Sequence, residues 1–269
     1  MIIRDTAARK LYEPAQVRNA IIHGDALKVL PKIETGVYDM VFVDPPYFLQ
    51  LPKRDLRRWN VKTVVEGVED AWDRFESFEA YDAFIERLFA EVRRVMKPAA
   101  TVWVISTYHS VFRIGRILQD LGYWILNDVI WLKTNPMPNW LGVRFTNATE
   151  TLIWALRDKT AKGYTFHKDA AKRFGVGKVG ANVWTMPICT GRQRLKKKDG
   201  AKVHATQKPE ELLRRILLTT TDEGDLVLDP VAGTGTTGAV AKALGREYTL
   251  VEKSRAYVQA AQARLRHKT

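Results

Sequence analysis

Hydrophobic and polar positions follow two different periods along this chain, and the two periods alternate. Short apolar runs bounded by polar residues predict buried strands, whereas apolar residues three and four positions apart predict helices. The predicted strands cover residues 19–22, 38–44, 101–106, 124–133, 150–157, 225–229 and 248–252. The predicted helices cover residues 25–33, 78–96, 111–121, 209–220, 236–244 and 255–269. Strands that alternate with helices favour an α/β fold with a doubly wound, mostly parallel sheet.

Two stretches depart from this alternation. The strands at 124–133 and 150–157 have no predicted helix between them, and we expect an antiparallel pair at a sheet edge. Residues 51–70 are charged and lack periodicity, which predicts a long loop, and loops of this length are usually functional or disordered. The 269 residues suffice for one large α/β domain or two small ones, and we expect residues 1–269 to form one catalytic domain.

The positive charge of the chain is concentrated in one segment. The formal net charge is +13, and residues 133–203 contain 15 lysines and arginines against 4 acids, a net charge of +11. Such a concentration favours a polyanionic partner, most often a nucleic acid. An ordinary basic surface in contact with solvent is the alternative interpretation.

Several classes of protein do not fit the composition. No apolar run approaches the length of a membrane-spanning helix, and the N-terminus is too polar for a signal peptide. Cys189 is the single cysteine, so neither an intramolecular disulfide nor a cysteine metal cluster can form, and the histidines lack metal-ligand spacing. We therefore expect a cytoplasmic protein that binds no metal.

A glycine motif lies between a predicted strand and a predicted helix. Gly233, Gly235 and Gly238 have the spacing G-x-G-x-x-G, and Glu252 ends the next strand. Such glycines let the backbone approach a ligand, and the acid can bind ribose hydroxyls, so a nucleoside cofactor is indicated, with NAD as the first candidate. The position of the motif argues against NAD, because only 17 residues follow Glu252 and a mononucleotide-binding half needs further strands. We expect these strands to come from the N-terminal part, in a permuted order. In this permuted order Asp25 lies beside the cofactor, although it is equally suited to cap the following helix.

A second motif, Asp44-Pro45-Pro46-Tyr47, ends the predicted strand 38–44. Ligands of open α/β sheets bind at the carboxyl ends of strands, so this motif is expected beside the glycine loop. The Asp44 carboxylate and the Pro45 carbonyl can accept hydrogen bonds from an exocyclic amine, which would localise the nitrogen lone pair. The prolines hold these acceptors in place, and Tyr47 offers a flat face for a base. The alternative is a strand that ends in a proline-rich turn.

These motifs resemble those of the β-class DNA amino-methyltransferases, which use S-adenosyl-L-methionine. Residues 44–47 resemble their catalytic motif, 229–237 their cofactor motif, and 204–209 the segment that precedes it. The order of these motifs, with a basic segment between them, is that of the β class. From about residue 19 to 265 the chain is similar to the bacterial cell-cycle-regulated adenine methyltransferases, without their C-terminal DNA-binding segment. Val231 stands where the family commonly has Phe.

The resemblance implies a Rossmann-like methyltransferase fold with permuted motif order and an inserted basic target-recognition segment at 133–203. It implies a catalytic role for Asp44, Pro45, Pro46 and Tyr47. The cofactor-binding residues it implies are Asp25, Thr206, Gln207, Lys208, Asp229, Ala232, Gly233, Gly235, Thr236, Thr237 and Glu252. From their charge or their place in a rigid loop, the predicted DNA contacts are Arg57, Arg58, Asn139, Trp140, Arg192, Arg194, Lys196, Lys197 and Lys198.

An aspartate at the first position of the catalytic motif points to adenine N6 in this family, whereas serine commonly marks cytosine N4. The predicted reaction is methyl transfer to an adenine flipped out of double-stranded DNA. We expect a homodimer in a bacterial or phage-infected cytoplasm, associated with the nucleoid, with a cognate restriction endonuclease as a possible partner. The alternatives are N4-cytosine methylation, an RNA or protein-amide methyltransferase, an NAD(P)-dependent oxidoreductase, and a DNA-binding protein on an inactive methyltransferase fold.

Overall fold

The computed structural model describes residues 1–8, 10–49, 73–139, 142–174, 180–195, 200, 203 and 206–266, with the side chain of Arg192 left out. The strands are β1 Ile2–Arg4, β2 Ala20–His23, β3 Tyr38–Val43, β4 Met96–Ser106, β5 Trp124–Lys133, β6 Thr149–Leu156, β7 Val183–Met186, β8 Leu226–Asp229 and β9 Glu247–Glu252. The helices are α1 Pro14–Val17, α2 Ala26–Val29, α3 Phe78–Val95, α4 Val111–Asp120, α5 Lys168–Phe174, α6 Glu210–Thr220, α7 Thr236–Ala243 and α8 Arg255–Arg266.

The strands of the described chain form one sheet in the order β1-β2-β9-β8-β3-β4-β6-β5-β7. β6 runs antiparallel to both β4 and β5, and the other neighbouring strands are parallel. The predicted doubly wound, mostly parallel α/β sheet is therefore confirmed. The predicted antiparallel pair is β5–β6, but its expected place at the sheet edge is wrong because β7 pairs with β5 and forms that edge.

The permuted strand order is present in the sheet. β2 pairs in parallel with β9, and His23 lies opposite Glu252 in the register. The N-terminal strand thus lies next to the strand that follows the glycine motif. This pairing brings the segment that begins at Gly24 to the same sheet edge as Glu252, which the C-terminal position of the glycine motif had predicted.

Helices cover both faces of the sheet, so its central strands are buried on both sides. Side chains of a strand alternate between faces. In β3, Val41 and Val43 pack with α2, α3 and α4, while Met40 and Phe42 pack with α6, α7 and α8. A strand that is buried on both faces reads as a continuous apolar run, which is why the stretch before Asp44 carries no polar alternation.

Some elements differ from the prediction. β1, α1, α5 and β7 were not predicted, because they are short and α5 buries no side chain, so its sequence has no apolar stripe. The helix predicted at 25–33 ends at Val29 and continues as a 3₁₀ turn, Leu30–Lys32, where Pro31 lacks the N–H that an α-helix needs. β4 begins at Met96, and its pairing with β3 contains a register shift between Tyr38 and Met40.

The basic segment 133–203 is partly built into the sheet, since it supplies β6 and β7 as well as α5. None of the helices in the described part of the chain combines the length and apolar composition that a membrane crossing requires.

Candidate active site

A cavity of about 670 Å³ opens at the carboxyl ends of β2, β9, β8 and β3. The four residues of the predicted catalytic motif lie in its wall. So do all predicted cofactor residues except Gly235, namely Asp25, Thr206, Gln207, Lys208, Asp229, Ala232, Gly233, Thr236, Thr237 and Glu252. Parallel strands bring their carboxyl ends to one edge of the sheet, so the two motifs meet although they are far apart in sequence.

Each glycine of the motif has its own structural role. Gly233 lies in the cavity wall with a φ of 50°, and its N–H donates to Glu252 Oε2 at 2.9 Å. Gly235 also has a positive φ, 74°, and a Cβ added there would lie 2.7 Å from Ala261 Cβ on α8. A Cβ on Gly238 would lie 2.7 Å from Leu250 Cδ1 on β9. One glycine therefore shapes the cavity, and two allow close packing of α7 and its preceding turn.

Two carboxylates in the cavity wall are held by hydrogen bonds. Asp229 accepts from Thr237 Oγ1 at 2.6 Å and from the N–H of Val231 at 3.2 Å. Glu252 accepts from the N–H groups of Gly233 and Ser254. Burial raises the pKa of Asp229 to about 7 and the pKa of Glu252 to about 6, and the hydrogen bonds offset part of each increase.

Asp25 lies where it can serve both as a helix cap and as a cofactor-binding residue, the two roles that the sequence allowed. It caps α2 by accepting the N–H of Leu27 at 3.0 Å, and it also lies in the cavity wall. Its other oxygen lies 3.0 Å from Lys253 Nζ. The cap fixes the carboxylate at the edge of the cavity, so the two roles are compatible.

The catalytic motif lies in a cluster of buried charges. Lys208 Nζ is 2.8 Å from Asp44 Oδ2, and the Tyr47 hydroxyl is 2.9 Å from Asp44 Oδ1. The same hydroxyl is 3.1 Å from Glu150 Oε2, and Lys133 Nζ is 2.9 Å from Glu150 Oε1. Lys208, predicted as a cofactor residue, therefore links the cofactor cavity to the catalytic carboxylate.

Burial is the largest single contribution to the pKa shifts of Asp44, Tyr47 and Lys208. It raises the pKa of Asp44, and the neighbouring Lys208 ammonium partly offsets that increase. Burial and the carboxylates of Asp44 and Glu150 raise the pKa of Tyr47 well above its ordinary value, so its hydroxyl stays protonated. The pKa of Lys208 is raised, because the attraction of the two carboxylates outweighs its burial. Within the described residues, no group of three or more His, Cys, Asp and Glu could hold a metal ion.

A buried aspartate that the sequence analysis missed holds the backbone of the catalytic motif. Asp73 accepts the N–H groups of Tyr47 at 2.6 Å, Phe48 at 2.8 Å and Leu49 at 2.8 Å. Phe48 has a φ of 50°, which lets three consecutive N–H groups converge on one carboxylate. The Tyr81 hydroxyl donates to the carbonyl of Pro46 at 2.9 Å. The two sides of the motif are thus tied to the chain at and after residue 73.

Glu150 and Lys133 were missed for a topological reason. β6 is antiparallel to its neighbours, so its first residues lie at the edge where the parallel strands end. The end of β5 reaches the same edge. A usable signal was present in the sequence: one predicted strand ends in a charged residue, and the next begins with one. Because antiparallel neighbours place the end of one strand beside the start of the next, both charges could have been expected at the edge where ligands bind.

The predicted DNA contacts are only partly open to description. Arg57, Arg58, Trp140, Lys196, Lys197 and Lys198 lie outside the described residues, as does the side chain of Arg192. Arg194 is half-buried, and its backbone N–H donates to the carbonyl of Gly191. Asn139 Nδ2 donates to the carbonyl of Arg144 at 2.5 Å, and both residues lie between β5 and β6 in the chain. These residues stay predictions as DNA contacts.

The family model N6_N4_Mtase, described as DNA methylase, matches residues 38–263. The chain belongs to this DNA methylase family. The interpretation as a DNA methyltransferase is therefore confirmed, and the alternative of an NAD(P)-dependent oxidoreductase is wrong.

Similar proteins agree with the family assignment. Type II methyltransferase M.HinfI from Haemophilus influenzae is 45% identical over 248 residues, which are 92% of this chain and 68% of that protein. The solved M1.HpyAVI–SAM complex is 25% identical with a TM-score of 0.64, covering 92% of this chain and 98% of that one. The cytosine-N4-specific PvuII DNA methyltransferase is 18% identical with a TM-score of 0.72, covering 94% and 88% of the two chains, and is similar in fold.

The predicted cofactor, S-adenosyl-L-methionine, is confirmed as the cofactor of this family. The cavity fits it chemically. Gly233 lies in the wall and has no side chain to keep a ligand away from the backbone, and Glu252 at the end of β9 presents a carboxylate that can accept hydrogen bonds from ribose hydroxyls.

Proposed function

We propose that this chain transfers a methyl group from S-adenosyl-L-methionine to N6 of an adenine flipped out of double-stranded DNA. The observation that carries the proposal is the position of Asp44. Asp44 lies in the wall of the cofactor cavity and is the residue directly after β3. It is also the first residue of the Asp-Pro-Pro-Tyr motif, and an aspartate at that position points to adenine in this family.

The cofactor supplies an electrophilic methyl group on a sulfonium sulfur. Glu252 would hold the ribose hydroxyls and Asp25 the adenine, while Asp229 and the glycine loop around Gly233 would hold the methionine part. Thr206, Gln207 and Lys208 line the same cavity. These residues would orient the cofactor toward the end of β3, where the target amine would bind.

The catalytic motif acts on the target amine. Asp44 and the carbonyl of Pro45 accept hydrogen bonds from its two N–H groups. These bonds draw the nitrogen toward tetrahedral geometry and localise its lone pair. Pro45 and Pro46 restrict the backbone, so the acceptors stay in place. The nitrogen must lose a proton as it gains the methyl group. Asp44 would accept that proton, and burial makes its carboxylate a stronger base by raising its pKa.

The basic segment 133–203 would position the DNA through phosphate contacts, with Arg192, Arg194 and Lys196 to Lys198 as the candidates. Flipping a base out of the duplex costs a few kcal/mol, which contacts of this kind offset. We further propose a homodimer in the bacterial cytoplasm, with a cognate restriction endonuclease as a possible partner. Equilibrium sedimentation that shows only fully active monomer would contradict the dimer.

The test is expression in a bacterial host that lacks DNA methylation, followed by sequencing that detects both N6-methyladenine and N4-methylcytosine. Methylated adenine in one short motif supports the proposal. Methylated cytosine would move the proposal to N4 chemistry, which the family includes. No modified base from a folded protein that binds S-adenosyl-L-methionine would refute a DNA substrate.

The matched control is Asp44→Ala expressed in the same host. It removes the acceptor of the amine hydrogens and should abolish methylation while DNA binding remains. Methylation that survives this substitution would refute the assigned role of Asp44.

A further inference from the structure

The hydroxyl of Tyr47 lies between two carboxylates. It is 2.9 Å from Asp44 Oδ1 and 3.1 Å from Glu150 Oε2. A tyrosine hydroxyl carries one proton, so it can make a full hydrogen bond to only one of these acceptors at a time. Asp44 is the acceptor that the target amine needs, whereas Glu150 has no part in the reaction described above.

Glu150 is fixed where it can take over this hydrogen bond. Its other oxygen is 2.9 Å from Lys133 Nζ, and Lys208 Nζ lies 3.9 Å away. The side chains of Lys133, Glu150 and Lys208 are 10%, 12% and 6% exposed, so these charges are largely removed from water. Buried charges of this kind are stable only when they are paired, which the two lysines and two carboxylates achieve together.

The antiparallel direction of β6 explains why an acid can reach this place. Glu150 is the second residue of β6 and lies opposite Trp131 of β5. The start of β6 therefore lies at the sheet edge where β3 ends. The ladder of hydrogen bonds fixes the backbone of Glu150, so its carboxylate is held on a rigid element rather than on a loop.

We propose that Glu150 is a positioning residue for the methyl transfer. By accepting a hydrogen bond from the Tyr47 hydroxyl, it frees Asp44 Oδ1 for the target amine and holds the Tyr47 ring in the orientation that stacks on the base. Glu150 does not touch the reacting atoms in this arrangement. It acts through Tyr47, so its effect must disappear when the hydroxyl is absent. The inference rests on the proposed amine methylation.

A double-mutant cycle tests the coupling, with Glu150→Gln and Tyr47→Phe as the two substitutions. Gln keeps the size of the side chain, but it has one oxygen and one NH₂ group. The Lys133 ammonium needs an acceptor, so the oxygen should face Lys133 and leave the NH₂ group, which cannot accept, beside the Tyr47 hydroxyl. Phe keeps the ring but removes the hydroxyl. We expect Glu150→Gln to lower kcat about tenfold and to change the KM for S-adenosyl-L-methionine less than about twofold. In the Tyr47→Phe background, the same substitution should change kcat by less than about twofold.

Glu91→Gln is the matched control. Glu91 is a partly exposed carboxylate that also forms an ion pair, with Arg94 at 2.8 Å, but it lies on α3 away from the cavity. It should leave kcat within about twofold of the wild type. If Glu150→Gln does not fold, as judged by circular dichroism, Glu150→Asp carries the same cycle. Asp keeps the charge beside Lys133 and moves the carboxylate away from the hydroxyl.

The outcomes separate this inference from the proposed function. Full activity of Glu150→Gln would overturn the positioning role. So would a double variant whose fold-loss in kcat equals the product of the fold-losses of the two single variants, because the two side chains would then act independently. A wild-type protein that methylates no DNA amine would instead refute the proposed function itself.

Discussion

Asp73 gives the sharpest prediction, because one carboxylate holds three consecutive N–H groups of the catalytic loop. Asn is almost the same size as Asp but has one oxygen and one NH₂ group. In Asp73→Asn the oxygen can keep the bonds to Tyr47 and Phe48, which share Oδ1. The NH₂ group then faces the N–H of Leu49, which lies 2.8 Å from Oδ2. Two donors meet at that position, and one hydrogen bond is lost.

The size of the effect follows from these contacts. A hydrogen bond to a charged group contributes about 2 kcal/mol and a neutral one about 1 kcal/mol. Losing one charged bond and turning two others into neutral ones thus costs about 4 kcal/mol. The φ of 50° at Phe48 is in addition an unfavourable backbone conformation for a residue with a Cβ, so the loop depends on these hydrogen bonds to keep it. The loop should lose its conformation before the rest of the domain unfolds.

The assay compares kcat for DNA methylation with the thermal midpoint of the same variant. We expect kcat to fall at least about 100-fold, while Tm falls by no more than about 10 °C. Asp39→Asn is the control. Asp39 also accepts a backbone N–H, that of Leu226 at 3.0 Å, and it pairs with Lys97, but at the opposite end of β3. It should lower Tm and leave kcat within about threefold.

Two results would refute the reasoning. If Asp73→Asn kept both Tm and kcat, the three hydrogen bonds would not hold the loop. If Asp73→Asn and Asp39→Asn lowered kcat by the same factor, the loss would reflect general destabilisation rather than the geometry of the catalytic motif.

Two further predictions concern stability and the cofactor cavity. Gly235→Ala should lower the free energy of unfolding by about 2–4 kcal/mol in urea denaturation, because the new Cβ would lie 2.7 Å from Ala261 Cβ. Gly163→Ala, also at a positive φ of 73° but with nothing within 4 Å of the new Cβ, should cost about 1 kcal/mol, and equal losses would contradict the packing argument. Burial raises the pKa of Asp229 from 3.8 to about 7, so the folded state binds this proton more tightly and loses stability as pH rises between those values, by up to about 1.4 kcal/mol per pH unit. Asp229→Asn removes this titration, and its stability relative to wild type, measured without cofactor, should therefore increase from pH 5 to pH 7; a constant difference would contradict the raised pKa.

The sequence by itself determined the parts of the site that depend on local backbone requirements. An apolar run ended by Asp44 and two prolines predicts a buried strand that presents a carboxylate. Glycines with the spacing G-x-G-x-x-G after an apolar run predict a close turn between a strand and a helix. The strand-end rule then places both motifs on one edge of the sheet, and the pairing of β2 with β9 confirms the order that the late position of the glycine motif required.

The tertiary structure alone decided which distant side chains complete the site. Asp73 is 26 residues from Tyr47 in sequence, and Glu150 is 103 residues from it. Local periodicity contains no information about which element returns to a given edge, so the contact of Asp73 had no signal of its own. Glu150 could have been found only by combining its charge at the start of a strand with the antiparallel pairing of that strand. Glu150 depends on β6 running against its neighbours, and Asp73 depends on the chain returning to the catalytic loop. Hydrogen bonds and ion pairs between such segments form only when the sheet order is set, because that order fixes which charges share a buried space.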